Sequence, residues 1–96
     1  MTLLGLTADG KKIVQLQVTG SASVGATSFG NVSCTIPLGE LSRADAVLGI
    51  ASITLDKDVY LTHAVATTST LTVRVYNPGG SGVTVGVTAL VTLIGV

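Results

Sequence analysis

The side chains that could carry out chemistry are few in this chain of 96 residues, and they do not form a recognisable catalytic set. Cys34 is the only cysteine, so no internal disulfide is expected, and a catalytic thiol would need a base beside it. It alternates with Val32 and Ile36, which predicts that it faces the core as a small hydrophobic side chain. The only histidine, His63, lies on another predicted strand. We expect it to face either the core or an interface. A metal site at His63 would need further ligands, which the sequence does not show.

Two short motifs resemble ion-binding sequences but are better explained as turns. Asp56 and Asp58 flank Lys57, whereas a calcium loop needs several more oxygen ligands at set positions. The run 79–82, Gly-Gly-Ser-Gly, joins two predicted strands, whereas a phosphate-binding loop opens a helix and carries a lysine. The first motif predicts a solvated turn and the second a hairpin turn.

The remaining charged residues leave their roles open. Arg43 with Glu40 and Asp45 is most simply a salt-bridge set in a loop, which contributes little if it is exposed. Arg74 lies in an apolar, Thr-rich strand. It is an ordinary exposed charge, a residue at the mouth of a barrel, or an anchor of an interface, where arginine is enriched. No acid, base and nucleophile converge, so we expect a non-enzymatic protein with no cofactor, metal or small-molecule substrate.

Composition predicts a single domain that associates with other chains. The charges of five basic and five acidic side chains cancel. This balance argues against a nucleic-acid partner, because such a partner requires a basic face. Charged residues are only 10% of the chain, so strand edges are poorly protected against pairing. The alternative is a compact monomer with a threonine-covered surface. We expect no export signal and no membrane span, because no long uninterrupted apolar run is present.

Apolar residues recur at every second position in most segments, which is the period of a half-buried strand. The clearest inward-facing positions are Val59, Leu61 and Val65; Leu71, Val73 and Val75; and Val83, Val85, Val87, Ala89, Val91 and Leu93. Val, Ile and Thr dominate, and these residues favour a pleated sheet. The pattern predicts an all-β, antiparallel β-sandwich of jelly-roll or Greek-key type with six to eight short strands.

The predicted organisation is an N-terminal arm over residues 1–10 and one β-sandwich domain over residues 11–96. Within the domain we expect a strand over 11–19, followed by a flexible stretch over 20–25 with a possible short edge strand around 22–26. A strand over 31–38 comes next, and a loop over 39–45 then crosses between the sheets. The following strand, over 46–55, is expected to have a bulge at Gly49. In the strand over 31–38, Val32, Cys34, Ile36 and Leu38 are expected to point inward.

From Ser28 to Leu93 the chain resembles a small β-sandwich module of tailed-bacteriophage structural proteins. The similarity lies in four segments and in the Gly-rich turn and final strand that follow them: 31–37 (NVSCTIP), 43–48 (RADAVL), 59–67 (VYLTHAVAT) and 70–77 (TLTVRVYN). The family usually has Asp before the last of these runs, where this chain has Thr68-Ser69-Thr70. The family has no catalytic residues that could be transferred to this chain.

The resemblance implies a capsid decoration or cement protein. Such a protein would be made in the host cytoplasm and lie on the capsid surface of the virion as a homotrimer that bridges major capsid protein subunits. The alternative is a tail or fibre module that binds a receptor, a sugar or a neighbouring virion protein. Sugar sites generally use aromatic platforms, for which only Phe29, Tyr60 and Tyr76 are available.

The expected protein-binding residues are Leu3, Leu4 and Leu6 of the arm, with Glu40 and Arg43 of the loop as a second contact. Left free, the leucines would be exposed, so docking on a partner would bury them. The competing expectation is that the arm adds an edge strand to the protein's own sheet or trimer.

Overall fold

Seven strands and no helix form the chain in the computed structural model, which describes residues 1–96. The strands are β1 (Thr2–Leu6), β2 (Lys12–Val24), β3 (Ser28–Thr35), β4 (Ala44–Leu55), β5 (Tyr60–Ala66), β6 (Thr70–Asn77) and β7 (Val83–Gly95). A four-stranded sheet has the order β1-β2-β7-β4 and a three-stranded sheet has the order β3-β6-β5, with all neighbours antiparallel. The predicted all-β, antiparallel sandwich-like fold is therefore confirmed.

The sandwich is a rod, because three of its strands are long rather than short. β2 and β7 have 13 residues each and β4 has 12. A rise of roughly 3.3 Å per residue gives a 13-residue strand a length of about 43 Å. The molecule accordingly measures 52 × 17 × 17 Å.

The core between the sheets is entirely aliphatic apart from the thiol of Cys34. Sixteen buried hydrophobic residues form it, and none of them is aromatic. The inward positions predicted for β6 and β7 are confirmed, since Leu71, Val73 and Val75 are fully buried and every second residue from Val85 to Leu93 is buried as well. β7 lies between β2 and β4, so its regular alternation is preserved along the whole strand.

The predicted crossing loop over 39–45 and the bulge at Gly49 are both found. The loop connects β3 of one sheet with β4 of the other, and Leu41 anchors it in the core. β4 is bulged at three places, one of them between Val47 and Gly49. These bulges give inward positions at Ala44, Val47, Ile50 and Ile53, a spacing of three instead of two.

Four local predictions were wrong. Residues 20–25 are not a flexible break, because β2 pairs with β7 without interruption through Val24. The run 78–82 is not a hairpin turn, because β6 and β7 belong to different sheets. Leu38 does not face the core and is 43% exposed, since β3 ends at Thr35 and the chain turns away after Ile36. In β5, Val65 points outward, and Ala64 and Ala66 pack against the core instead, whereas Leu61 lies on the inward side opposite Val75 but is 47% exposed.

Residues 2–6 within the predicted arm form β1, an edge strand of the protein's own sheet. β1 pairs with β2, with Leu3 opposite Val14 and Leu6 opposite Lys12. This arrangement is the second of the two expectations for the N-terminus. The sheet therefore begins at Thr2 and not after residue 10.

Candidate functional site

All three aromatic side chains of the chain lie in one row across the outer face of the three-stranded sheet. Phe29 of β3 pairs with Tyr76 of β6, and Tyr76 pairs with Tyr60 of β5. The row points away from the core because the neighbouring position, Val75, points into it. Phe29 is 54% exposed and Tyr60 is 64% exposed. This set, which we call the aromatic row, therefore presents ring surface to solvent.

A row of nitrogen-bearing side chains lies directly beside the aromatic row. Asn31 of β3 pairs with Arg74 of β6, and Arg74 pairs with His63 of β5. All three are exposed, so His63 does not face the core. This second set, the polar row, places an amide, a guanidinium and an imidazole in register with the three rings. Such groups donate hydrogen bonds to carbonyl, hydroxyl and carboxylate oxygens.

A bulge in β5 brings Tyr60 and His63 to the same face. Residues three apart point to opposite faces of a regular strand, but the register shifts between Leu61 and His63, which leaves Thr62 as the extra residue. The Thr62 hydroxyl donates a 2.9 Å hydrogen bond to the Arg74 carbonyl oxygen across the sheet. This bond joins the bulged residue to β6 and holds both rows in register.

Arg74 is held in place by stacking and has no ion-pair partner. Its Cζ atom lies 4.4 Å from the centroid of the Phe29 ring, and the Phe29 and Tyr76 centroids are 4.8 Å apart at 56°. None of the three salt bridges in the structure includes Arg74. It is also the only charged residue in the middle of a strand, because the others lie in turns or within two residues of a strand end. Its N–H groups are thus available to an acceptor on a ligand.

The leucines predicted to bind a partner are exposed on β1. Leu3 is 55%, Leu4 is 54% and Leu6 is 66% exposed. Leu3 lies beside the buried Val14 on the inward side of the sheet, yet it remains open because the three-stranded sheet does not extend over β1. Leu4 lies at a register shift between Leu3 and Gly5. β1 is therefore an apolar edge strand with one side unpaired.

The loop residues predicted as a second contact lie at the same end of the rod as β1. The Glu40 backbone N–H lies 3.4 Å from the Met1 sulfur, two residues from Leu3. Arg43 pairs with Asp45 at 2.7 Å, and Asp45 also pairs with Lys11 at 3.2 Å, whereas Glu40 makes no salt bridge. The hydrogen bonds from Arg43 and Lys11 lower the pKa of the exposed Asp45 carboxyl. The salt-bridge set predicted in this loop thus includes Lys11 in place of Glu40.

The turn motifs at the other end of the rod are used structurally. Asp56 accepts a 2.6 Å hydrogen bond from the Gly86 backbone N–H and lies 3.8 Å from the Lys57 ammonium group. An open cleft of about 350 Å³ lies between Lys57, Asp58 and the 78–82 loop. No group of three His, Cys, Asp or Glu side chains is placed to hold a metal ion.

The Cys34 thiol is fully buried, as the alternation predicts, and burial raises its pKa. We expect an aromatic disulfide reagent at pH 8 to label it at least about a hundredfold more slowly in the native protein than in urea, because labelling must wait for local opening. The release of coloured thiolate measures both rates. Equal rates in the two conditions would mean that this strand opens freely and would contradict the packing of β3.

Comparisons with protein-family models, with curated proteins and with solved structures give no match. The structure contains no helix of the length and apolar character needed to cross a membrane. The resemblance to phage structural modules accordingly remains an expectation from the strand patterns.

The three members of the aromatic row are evident from the sequence, but local patterns do not predict that they lie side by side. Phe29 and Tyr76 could have been placed outward, because each is an odd number of residues from a buried position of its own strand, Val32 and Val75 respectively. Tyr60 likewise lies between Val59 and Leu61, which are both expected to point inward. His63 could not be placed in this way, because the bulge at Thr62 changes the alternation of β5.

Proposed function

We propose that this chain is a non-enzymatic structural protein that attaches to a neighbouring protein of a larger assembly, as a capsid decoration protein attaches to the shell of a phage. The observation that carries this proposal is the exposed, half-paired strand β1. Three leucines, each more than half exposed, are clustered within four residues on it. Apolar clusters of this kind on soluble proteins mark interaction sites.

β1 offers a partner two kinds of contact. Its outer edge has backbone N–H and C=O groups with no strand beside them, which an extended segment of a partner can pair with. Its leucines add apolar area, and burying a fully exposed leucine stabilises a complex by about 1.5 to 3 kcal/mol. Glu40 and Arg43 lie at the same end and supply polar contacts around this apolar centre.

The partner in this proposal is the major capsid protein of a virus particle, and the chain acts as a homotrimer on the capsid surface of the virion. Both elements come from the resemblance of the strand patterns. The physical support is that few charges protect this molecule against association. A trimer would present three β1 strands at once, which raises the strength of attachment through multivalency.

We expect the triple variant Leu3→Ser/Leu4→Ser/Leu6→Ser to bind shells of the co-encoded major capsid protein at least about tenfold more weakly than the intact chain, because the apolar contact is lost. Co-sedimentation of the purified chain with the shells measures this. The matched control is Leu48→Ser, which removes a leucine of similar exposure, 53%, from the opposite edge strand and should bind normally. Thermal unfolding of both variants checks that the fold is retained. Equal binding of the triple variant and the intact chain, or no binding of the intact chain, would refute the proposal.

The alternative function, a tail or fibre module that binds a receptor, is favoured by a different observation. The aromatic row and the polar row form a ligand-binding type of surface that shell attachment through β1 does not use.

A further inference from the structure

The outer face of the three-stranded sheet has the composition of a binding surface. Its outward positions hold three aromatic rings, the polar row, the exposed Val65 and a series of hydroxyl side chains, and no Asp, Glu or Lys. The hydroxyl groups belong to Ser33, Thr35, Thr70 and Thr72, which continue the ladder beyond the polar row. Ligand-binding surfaces combine aromatic side chains with a small number of polar groups that fix the orientation of the ligand.

The size of this face is sufficient for a small ligand. Three strands spaced about 4.8 Å apart and eight residues long cover roughly 400 Å². Neither of the two clefts of the molecule includes an aromatic or polar-row residue, so this face has no pocket of the kind in which protein hot spots are enclosed.

The chemistry of the face favours a saccharide over a nucleic acid. The C–H face of a sugar ring is apolar and packs on an aromatic ring, and its hydroxyl groups pair with amide, imidazole and hydroxyl side chains at the ring edge. A single-stranded nucleic acid would also stack on aromatic rings, but it requires a positively charged groove along its backbone. Arg74 is the only Lys or Arg on this face, and the chain has no net charge.

Arg74 indicates that the saccharide is acidic. The Arg74 guanidinium lies over the Phe29 ring, and no acidic side chain of the protein pairs with it. An unpaired guanidinium beside an aromatic surface is suited to bidentate hydrogen bonding with a carboxylate. We infer that the aromatic row and the polar row together bind an oligosaccharide that carries a carboxylate, with Tyr60 and Tyr76 against the sugar rings and Arg74 on the carboxylate.

The test uses the free, intact chain on an immobilised panel of sialylated and uronic-acid oligosaccharides together with their neutral counterparts. We expect the chain to bind members that carry a carboxylate and to bind the matching neutral members more weakly. Tyr60→Ala should weaken binding at least about tenfold, because it removes the most exposed ring. Arg74→Gln should remove the preference for the carboxylate, because glutamine keeps hydrogen-bonding capacity without the charge.

Two matched controls separate a binding role from damage to the fold. Leu61→Ala changes the residue next to Tyr60, which pairs with the inward Val75, and should leave binding unchanged. Arg43→Gln removes an arginine that lies outside this face and is paired with Asp45, and should also leave it unchanged. Chemical shift changes in labelled protein then locate the bound glycan.

Several results would overturn the inference. These are no binding to any glycan on the panel, shift changes confined to other surfaces, equal binding of acidic and neutral members, or normal binding by Tyr60→Ala and Arg74→Gln. Binding of an acidic peptide or a single-stranded oligonucleotide in place of the glycans would assign the face to a different class of partner. Because the test needs no shells, its outcome does not depend on the proposed attachment through β1.

Discussion

Replacing Asn77 with alanine is expected to lower the free energy of unfolding by about 3 kcal/mol, since three hydrogen bonds of about 1 kcal/mol each are lost. Asn77 is buried at the end of β6. Its Nδ2 donates to the Gly25 carbonyl at 3.1 Å and to the Ser81 carbonyl at 2.9 Å, and its Oδ1 accepts from the Gly79 N–H at 3.0 Å. These bonds tie the turn between β2 and β3 to the 78–82 loop, so both would loosen together.

Urea denaturation followed by circular dichroism measures this loss. The matched control is Asn31→Ala, which removes an exposed asparagine of the same sheet and should change the free energy of unfolding by less than about 0.5 kcal/mol. A loss of about 3 kcal/mol is large against the typical 5 to 15 kcal/mol of a domain. If the two variants unfolded at the same urea concentration, the buried amide would not have the structural role described here.

Replacing Gly20 with alanine is expected to destabilise the protein by about 2 to 3 kcal/mol through overpacking. A Cβ atom on Gly20 would lie 2.5 Å from the Ser33 carbonyl oxygen and 2.8 Å from the Cys34 sulfur. β2 and β3 approach each other closely at this point, and a backbone oxygen cannot move aside as a flexible side chain can. The two sheets would have to separate locally to accept one methyl group.

Gly49→Ala is the matched control for Gly20→Ala. A Cβ atom on Gly49 meets no atom within 4 Å, and its backbone does not require glycine, so we expect no loss and up to about 1 kcal/mol of gain. Thermal unfolding of the two single variants under identical conditions provides the comparison. A stable Gly20→Ala variant would show that the sheets are less closely packed at this point.

The sequence predicted best the segments in which alternation is uninterrupted. β6 and β7 alternate without a bulge, so the burial of Leu71, Val73 and Leu93 follows directly from a period of two. For β2, by contrast, the sequence predicts a break at residues 20–25, because small residues there suggest a flexible segment. Glycine is needed at position 20 because β3 packs closely against it, a contact between two sheets that no local pattern reveals.

Strand pairing was beyond the reach of local patterns for a related reason. The 78–82 loop has the composition of a hairpin turn, and that composition determines that the chain turns but not which strands pair afterwards. The partners of β7 are β2 and β4, which lie far from the loop in sequence. The three bulges of β4 likewise arise from its pairing along β7, although Gly49 correctly indicated one of them.

The sequence by itself determined the fold class, the aliphatic core and the small number of groups that could recognise a ligand, since these follow from residue type and local period. Only the tertiary structure decided that Phe29, Tyr60 and Tyr76 form one row beside Arg74. Their registers depend on antiparallel pairing between β3, β6 and β5, and on one extra residue at Thr62. One residue of register moves a side chain to the opposite face of a sheet, so the candidate site arises from long-range pairing that local sequence does not encode.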